Sequence, residues 1–282
     1  IGTKANLGVL KQDEVNVIVH GHVPLLSDMI CQASQDSEML ALAKKKGANG
    51  VNVAGICCTA LEVLARRGVN VAGNFLQQEL ALVTGVVDAM VVDLQCVMPS
   101  LPQIASCFHT KIISTSRRAH FPGSEFIEYE EEKGFDIAKK IVRLAIENYP
   151  NRNQEKCYIP KSEQKDLVCG FTTEYVFEML GGKTRFTYKP LNDAIARGRI
   201  RGVAGVVGCD NPKLQSGNTH ITLVKELIKN DVLVVQTGCA ATACAKAGLL
   251  IPEAALQFAG KGLQEICETV GIPPVLLLGS CV

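Results

Sequence analysis

The chain has 282 residues, 47% of them apolar, and a formal charge of +1 from 29 basic and 28 acidic side chains. That balance supplies no basic face for nucleic acid or an anionic membrane surface, and an aromatic content of 5% without tryptophan supplies no stacking platform for bases or sugars. No apolar run approaches the roughly 18 to 20 residues that cross a bilayer, and no basic segment followed by an apolar core opens the chain, so a soluble, cytoplasmic protein is expected.

Short β-branched apolar runs alternate with helical periods, the pattern of βαβ units on a mostly parallel sheet. Residues 15–21, VNVIVHG, read as a strand, and 25–46 as a helix ended by Gly47. A strand at 51–55 follows, then a helix at 61–68, a strand at 69–73 that repeats the pentapeptide VNVAG, a helix at 77–84 and a strand at 88–96. A short helix after Pro99, a strand at 110–116 and a longer helix at 135–148 complete the first series. The polar stretch 148–166, with two prolines, is the best linker candidate. Beyond it come a strand at 166–171, helices at 173–180 and 191–197, a strand at 202–208, a helix at 219–230, and strands at 231–238 and 273–279. The expected fold is α/β: two tandem Rossmann-like domains with mostly parallel sheets, 1–160 and 161–282, the second truncated at its C-terminus. The chain opens at Ile1 without an initiator Met and stops at Val282 just past a strand, so a fragment of a longer protein is expected.

Twelve cysteines are the compositional outlier. In a large α/β pattern without an export signal they favour metal binding or catalysis over a disulfide framework. Five strand ends carry one: Cys57 with Cys58, Cys96, Cys209, Cys239 and Cys281; His22 stands at another. Ligands of open parallel sheets bind outside the carboxyl ends of the strands. A thiol there, beside a helix N-terminus, shifts toward the thiolate that binds metal. Several facing thiolates repel unless a cation lies among them. The chain has no C-x-x-C, which removes the simple zinc and ferredoxin-type patterns. Singletons tens of residues apart, one per loop, suit a large cluster held in a cleft between domains, and sulfur donors select iron or nickel.

Other residues have blander readings. Cys57 and Cys58, neighbours at a helix start, are not expected to face one site together, so one of them packs. Cys31, Cys107, Cys157, Cys169, Cys244 and Cys267 read as small buried hydrophobes or incidental thiols, although Cys244 follows Cys239 closely enough to approach a site from the first helical turn. His109, His120 and His220 default to core or surface, and the acidic run at 128–134 to a solvated helix start. Gly208, Gly238 and Gly279 lie within two residues of candidate ligands and let the backbone approach a bulky group. No G-x-G-x-x-G occurs, so no dinucleotide is expected.

In order and nearly end to end, VNVIVHGHVPLLSD, GICCTALEVLARRG, DLQCVMPSL, RGVAGVVGCDNPK, VLVVQTGCAATA and PPVLLLGSCV resemble the catalytic subunit of the anaerobic nickel-iron carbon monoxide dehydrogenase family. The resemblance implies an oxidoreductase that interconverts CO and CO2 with water, two protons and two electrons. It also implies a nickel-iron-sulfur cluster, the C-cluster, held by one histidine and five cysteines. Carried over position by position, these are His22, Cys58 as the second thiol of the pair with Cys57 as its fallback, Cys96, Cys209, Cys239 and Cys281. His20 becomes a candidate donor to a bound imidazole or sulfide. The family's N-terminal helical region, whose cysteines hold further 4Fe-4S clusters and bridge a homodimer, has no counterpart in the sequence. Nor has the segment after the last cysteine, with its proton-handling lysine, so the isolated fragment is expected to be inactive. Implied partners are CO, CO2 and water, a ferredoxin-type electron acceptor, a second copy of the chain and acetyl-CoA synthase. The alternatives are a hybrid cluster protein reducing hydroxylamine, a non-enzymatic iron-sulfur protein and a metal-free, disulfide-bonded protein.

Overall fold

The computed structural model describes residues 1–161, 163–181, 187–215 and 217–281. The chain divides into two compact units, one of Lys4–Gln164 and one of Lys165–Cys281 together with Ile1–Thr3. The architecture is α/β with parallel strand pairing.

The core of the first unit begins with β2 (Val15–His20) and β3 (Val51–Ile56), β-branched strands buried along their whole length. Strands covered on both faces read as continuous apolar runs rather than as alternation. The two VNV tripeptides lie side by side, Asn16 opposite Asn52. Their amides satisfy one another inside the sheet: Asn52 Nδ2 donates to Asn16 Oδ1 at 2.9 Å and Asn16 Nδ2 to the Val86 carbonyl at 2.9 Å. Around this pair run β1 (Gly2–Ala5), β4 (Asn70–Gly73), β5 (Val87–Val92), β6 (Lys111–Ser114) and β7 (Glu125–Phe126), in the spatial order β7-β6-β5-β2-β3-β4-β1. From β2 to β7 this is the Rossmann order 3-2-1-4-5-6. Alternate residues feed two cores. Val17, Val19 and Val91 pack under α1 (Pro24–Ser34), α2 (Ser37–Lys45) and α6 (Gly134–Asn148). Ile18, Met90 and Val92 pack under α4 (Gln78–Val83) and α5 (Leu101–Ala105). The helix α3 (Cys57–Arg67) follows β3 without a loop. Gly55 allows this, because a Cβ there would lie 2.2 Å from Ala60 Cβ.

Two local expectations need correction. The helix expected over 25–46 is two, because Asp36 takes an extended conformation and caps α2, its carboxylate accepting from Glu38 N at 3.0 Å. The strand expected over 88–96 ends at Val92, and Asp93 to Cys96 form a turn in which Gln95 and Cys96 have φ of 55° and 52°. The polar stretch after α6, expected as a linker, contains the division between the two units at Gln164 and Lys165, and its first part packs onto the first unit. Arg152 is buried, donating to Asp88 Oδ2 at 2.6 Å and to the carbonyls of Gln12 at 2.7 Å and Val86 at 2.9 Å, and Tyr158 N donates to Thr84 O at 2.8 Å.

In the second unit, β8 (Lys165–Val168), α7 (Thr173–Gly181) and α8 (Lys189–Ala196) precede a parallel sheet of β9 (Gly202–Val206), β10 (Val232–Thr237) and β11 (Val275–Gly279), ordered β11-β10-β9. The connections are α9 (Asn218–Lys229) and α10 (Gly238–Lys246), then α11 (Ala254–Phe258) and the amphipathic α12 (Lys261–Val270), which sequence periodicity had not singled out. Among the described residues no helix is long and apolar enough to cross a membrane.

Candidate metal centre

The chain leaves β2 toward β3 on one side and β5 toward β6 on the other, so the crevice at the carboxyl ends of β2 and β5 is the topological switch point where such sheets bind ligands. His20 is in register with Ile56 and Val92. His22 and Cys58 therefore stand two residues beyond one row across the sheet, and Cys96 four beyond it. The first unit gathers these three donors at one edge.

The HGH turn is held by Asp93. Its carboxylate is buried and accepts from His22 N at 2.7 Å, from Val23 N at 2.8 Å and from Leu94 N. These bonds also cap α1, whose N-cap residue Val23 offers no side-chain acceptor and whose first residue is proline. Burial raises the Asp93 pKa from its ordinary 3.8, and the three main-chain N–H groups oppose that shift. Gly21 is required at the turn: its φ is +141°, and a Cβ would lie 1.6 Å from Asp93 Oδ1. The Gly21 carbonyl accepts from Thr59 N at 2.9 Å, tying the turn to the start of α3.

His22 Nδ1 lies 3.1 Å from the Leu94 carbonyl. A carbonyl only accepts, so in the neutral ring Nδ1 carries the hydrogen and Nε2 keeps the lone pair that a metal needs. His20, behind it, is buried, and desolvation, helped by the neighbouring His22, pushes its pKa down to about 4. Its Nε2 lies 3.9 Å from Cys57 Sγ.

Cys57 and Cys96 both take left-handed backbone conformations, with φ of 66° and 52°. Such strain in non-glycine residues persists where surrounding structure imposes it, and it concentrates at functional sites. The Cys57 thiol donates to Cys96 and, with the nearby His22, outweighs burial to bring the Cys96 pKa down to about 6. Cys57 itself belongs to an apolar core cluster, and Cys58 is also buried.

The second unit repeats the arrangement. Gln236 pairs with Val206 on one side and Leu277 on the other, so Cys209, Cys239 and Cys281 all lie just beyond the carboxyl ends of adjacent strands. Cys239 occupies the first turn of α10, where the helix dipole favours a thiolate. Ala240 N donates to Gly208 O at 3.1 Å, and Cys281 Sγ lies 3.3 Å from Thr237 Oγ1. Cys209 and Cys281 are exposed and Cys239 is buried. Asp210 shapes the Cys209 loop by accepting from Gly217 N at 2.7 Å and Asn211 N at 3.0 Å. Lys246, at the far end of α10, has a pKa lowered by burial against the opposing pull of Asp210 and Cys239.

The remaining thiols are packing groups or lie apart from the strand ends. Burial pushes Cys31, Cys244 and Cys267 up to about 12 and Cys169 up to about 11. Cys157 is raised too, and Cys107 is exposed. His109 is a buried partner of Asp88 at 2.7 Å, at the opposite edge of the sheet from His22. Sequence reasoning missed Asp93 and Asp210, whose only local sign was an acidic residue near a strand-end cysteine, and Lys246, which carried no such sign.

Among the described residues no three His, Cys, Asp or Glu side chains close on one point as a single ion would require. A polynuclear cluster asks for less, since bridging sulfides fill most metal positions and the protein donors stay further apart. An unburdened Nε2, a thiol near pKa 6 and thiols at strand ends fit such a group.

A family model described as Prismane/CO dehydrogenase matches residues 1–282. The chain belongs to the Prismane/CO dehydrogenase family. It is 59% identical over 277 residues to carbon monoxide dehydrogenase 1 of Methanosarcina mazei, covering 98% of this chain and 43% of that protein. A nickel-free carbon monoxide dehydrogenase structure from Thermococcus sp. AM4 superposes with a TM-score of 0.95 at 52% identity, over 100% of this chain and 44% of that one. Carbon monoxide dehydrogenase IV of Carboxydothermus hydrogenoformans gives 0.95 at 50% identity, over 100% and 45%. The chain thus spans less than half the length of these family members.

Proposed function

We propose that His22, Cys58, Cys96, Cys209, Cys239 and Cys281 are the protein ligands of one nickel-iron-sulfur cluster, and that the protein to which this chain belongs interconverts CO and CO2: CO + H2O to CO2 + 2 H⁺ + 2 e⁻. The observation that carries the reading is the placement of the six donors. Each unit sets three of them along one carboxyl edge of its sheet, and the same six positions fit the family's ligand pattern. Of the neighbouring pair, Cys58 is taken as the ligand on the family pattern, with Cys57, whose Sγ lies 3.9 Å from His20 Nε2, as its fallback.

Such a cluster, when bound, supplies two-electron redox chemistry and a Lewis-acidic metal that makes water a nucleophile near neutral pH. The chain's own residues hold and tune. His22 presents Nε2 because Leu94 O holds the hydrogen of Nδ1. Cys96 arrives close to its thiolate form, so little free energy is spent in deprotonating it. His20, uncharged at neutral pH and 3.9 Å from Cys57 Sγ, keeps a polar ring behind the site without adding a positive charge. The electrons pass to a ferredoxin-type acceptor through further 4Fe-4S clusters of the full-length chain. A homodimer in the cytoplasm, with acetyl-CoA synthase as a further partner, completes the reading.

The test is elemental analysis of the full-length protein purified without oxygen, which should hold nickel equimolar with the chain. His22→Ala and Cys209→Ala should each lose nickel-dependent CO oxidation. Iron without nickel, or an intact rate in either variant, refutes the proposal.

A further inference from the structure

The geometry points to Asp93 as the positioning residue that fixes the His22 imidazole, a role that rests on His22 being a ligand. Three main-chain N–H groups close on its carboxylate: His22 at 2.7 Å and Leu94 on Oδ1, and Val23 at 2.8 Å on Oδ2. Two of them belong to the segment that carries the ring. The third belongs to Leu94, whose carbonyl orients the ring through Nδ1 at 3.1 Å. One buried carboxylate therefore sets both where the imidazole is attached and what it leans on, and Asp93 N, donating to His20 O at 3.3 Å, closes the same crevice from the backbone. Gly21 leaves the carboxylate room and pins the turn to α3 through Thr59 N.

The chemistry specifies a carboxylate rather than an amide. Three donors need two acceptor oxygens. Asparagine offers one, and its NH2 would face at least one N–H that has no other acceptor in place. The negative charge also sits at the N-terminus of α1, where the helix dipole favours it. If Asp93 only capped α1, its loss would lower stability and leave the ligand's bond to iron unchanged. A positioning role alters that bond.

The experiment compares Asp93→Asn with His22→Ala in the full-length enzyme, loaded without oxygen and labelled with 15N-histidine. The readouts are iron and nickel retained against a chelator and the 15N coupling to the cluster iron by electron-nuclear double resonance. Asp93→Asn should weaken metal retention roughly 10- to 100-fold and shift or broaden the 15N coupling. His22→Ala should abolish the coupling. An unchanged coupling and retention in Asp93→Asn, where His22→Ala loses both, overturns the positioning role. An unchanged coupling in His22→Ala overturns instead the reading of His22 as a ligand. Amide hydrogen exchange of the wild-type enzyme supplies a measurement that needs no variant: the amides of His22, Val23 and Leu94 should exchange as slowly as those of β2, and exchange at the rate of an exposed loop refutes the clamp.

Discussion

The side-chain amide of Gln78 donates to the Cys96 carbonyl at 2.9 Å while its Oε1 accepts from Met98 N at 3.1 Å. A single buried side chain on α4 thus holds the backbone at two points on the C-terminal side of the candidate ligand Cys96. A third bond, to Phe75 O at 2.6 Å, fixes the amide itself. These bonds restrain the segment next to Gln95 and Cys96, whose left-handed conformations each cost on the order of 1 kcal/mol or more.

Replacing Gln78 by Leu leaves the Cys96 carbonyl and the Met98 N–H without their partner. The expected cost is about 1–3 kcal/mol of stability and roughly tenfold weaker metal retention. Urea unfolding of the metal-free protein and metal analysis of the loaded one measure the two effects separately.

Thiol reactivity should separate Cys96 from the packing cysteines. With a pKa of about 6 it is about nine-tenths thiolate at pH 7, and its alkylation should slow about tenfold at pH 5. Cys31, Cys244 and Cys267, held up to about 12, stay protonated and should label far more slowly at both values. Mass mapping of the metal-free protein after brief iodoacetamide treatment checks this; equal labelling of Cys31 and Cys96 would contradict it.

At the other edge of the first sheet, Arg152 and Asp88 form an ion pair with no solvent exposure, joined by His109 and by Asn16 N. Arg152→Met strands a buried carboxylate and should destabilise by about 3–5 kcal/mol. Adding Asp88→Asn should recover part of the loss, because the uncompensated charge is gone. Chemical denaturation of both variants decides the point.

The Asp28 carboxylate accepts both Arg67 Nε at 2.7 Å and Arg67 NH2 at 2.9 Å, linking α1 to α3, and this pairing holds its pKa below the ordinary 3.8. A lowered acid pKa stabilises the fold above its unfolded value and loses that contribution as pH falls through the folded one. Asp28→Asn should therefore cost roughly 1 kcal/mol at pH 7, with the gap to the wild type closing as pH drops below about 3.8. A gap that persists at pH 2 would place the effect elsewhere.

The strands were legible because their signal is local. VNVIVH and VNVAGI are apolar and β-branched over single short runs, and a glycine or cysteine at the end of a run is visible without knowing its neighbours. The same locality left the contacts of 148–166 unread. Arg152 stands in a polar stretch with no local sign of burial, yet Asp88, 64 residues away, draws it into the interior. It also hid the break in the first helix, where Asp36 is helical by its surroundings but caps by its own carboxylate.

By itself the sequence determined the α/β class, the parallel strands and the histidine and cysteines at their ends, since all of these follow from residue type at short spacing. Tertiary structure decided how those donors are aimed: that Asp93 grips the backbone of His22 across 71 residues, that Gln78 grips Cys96 across 18, and that Cys57 rather than a basic side chain is the foremost influence drawing the Cys96 thiol toward its ionised form. Aim depends on hydrogen bonds between segments that become neighbours only when the sheet assembles, and no periodicity along the chain encodes them.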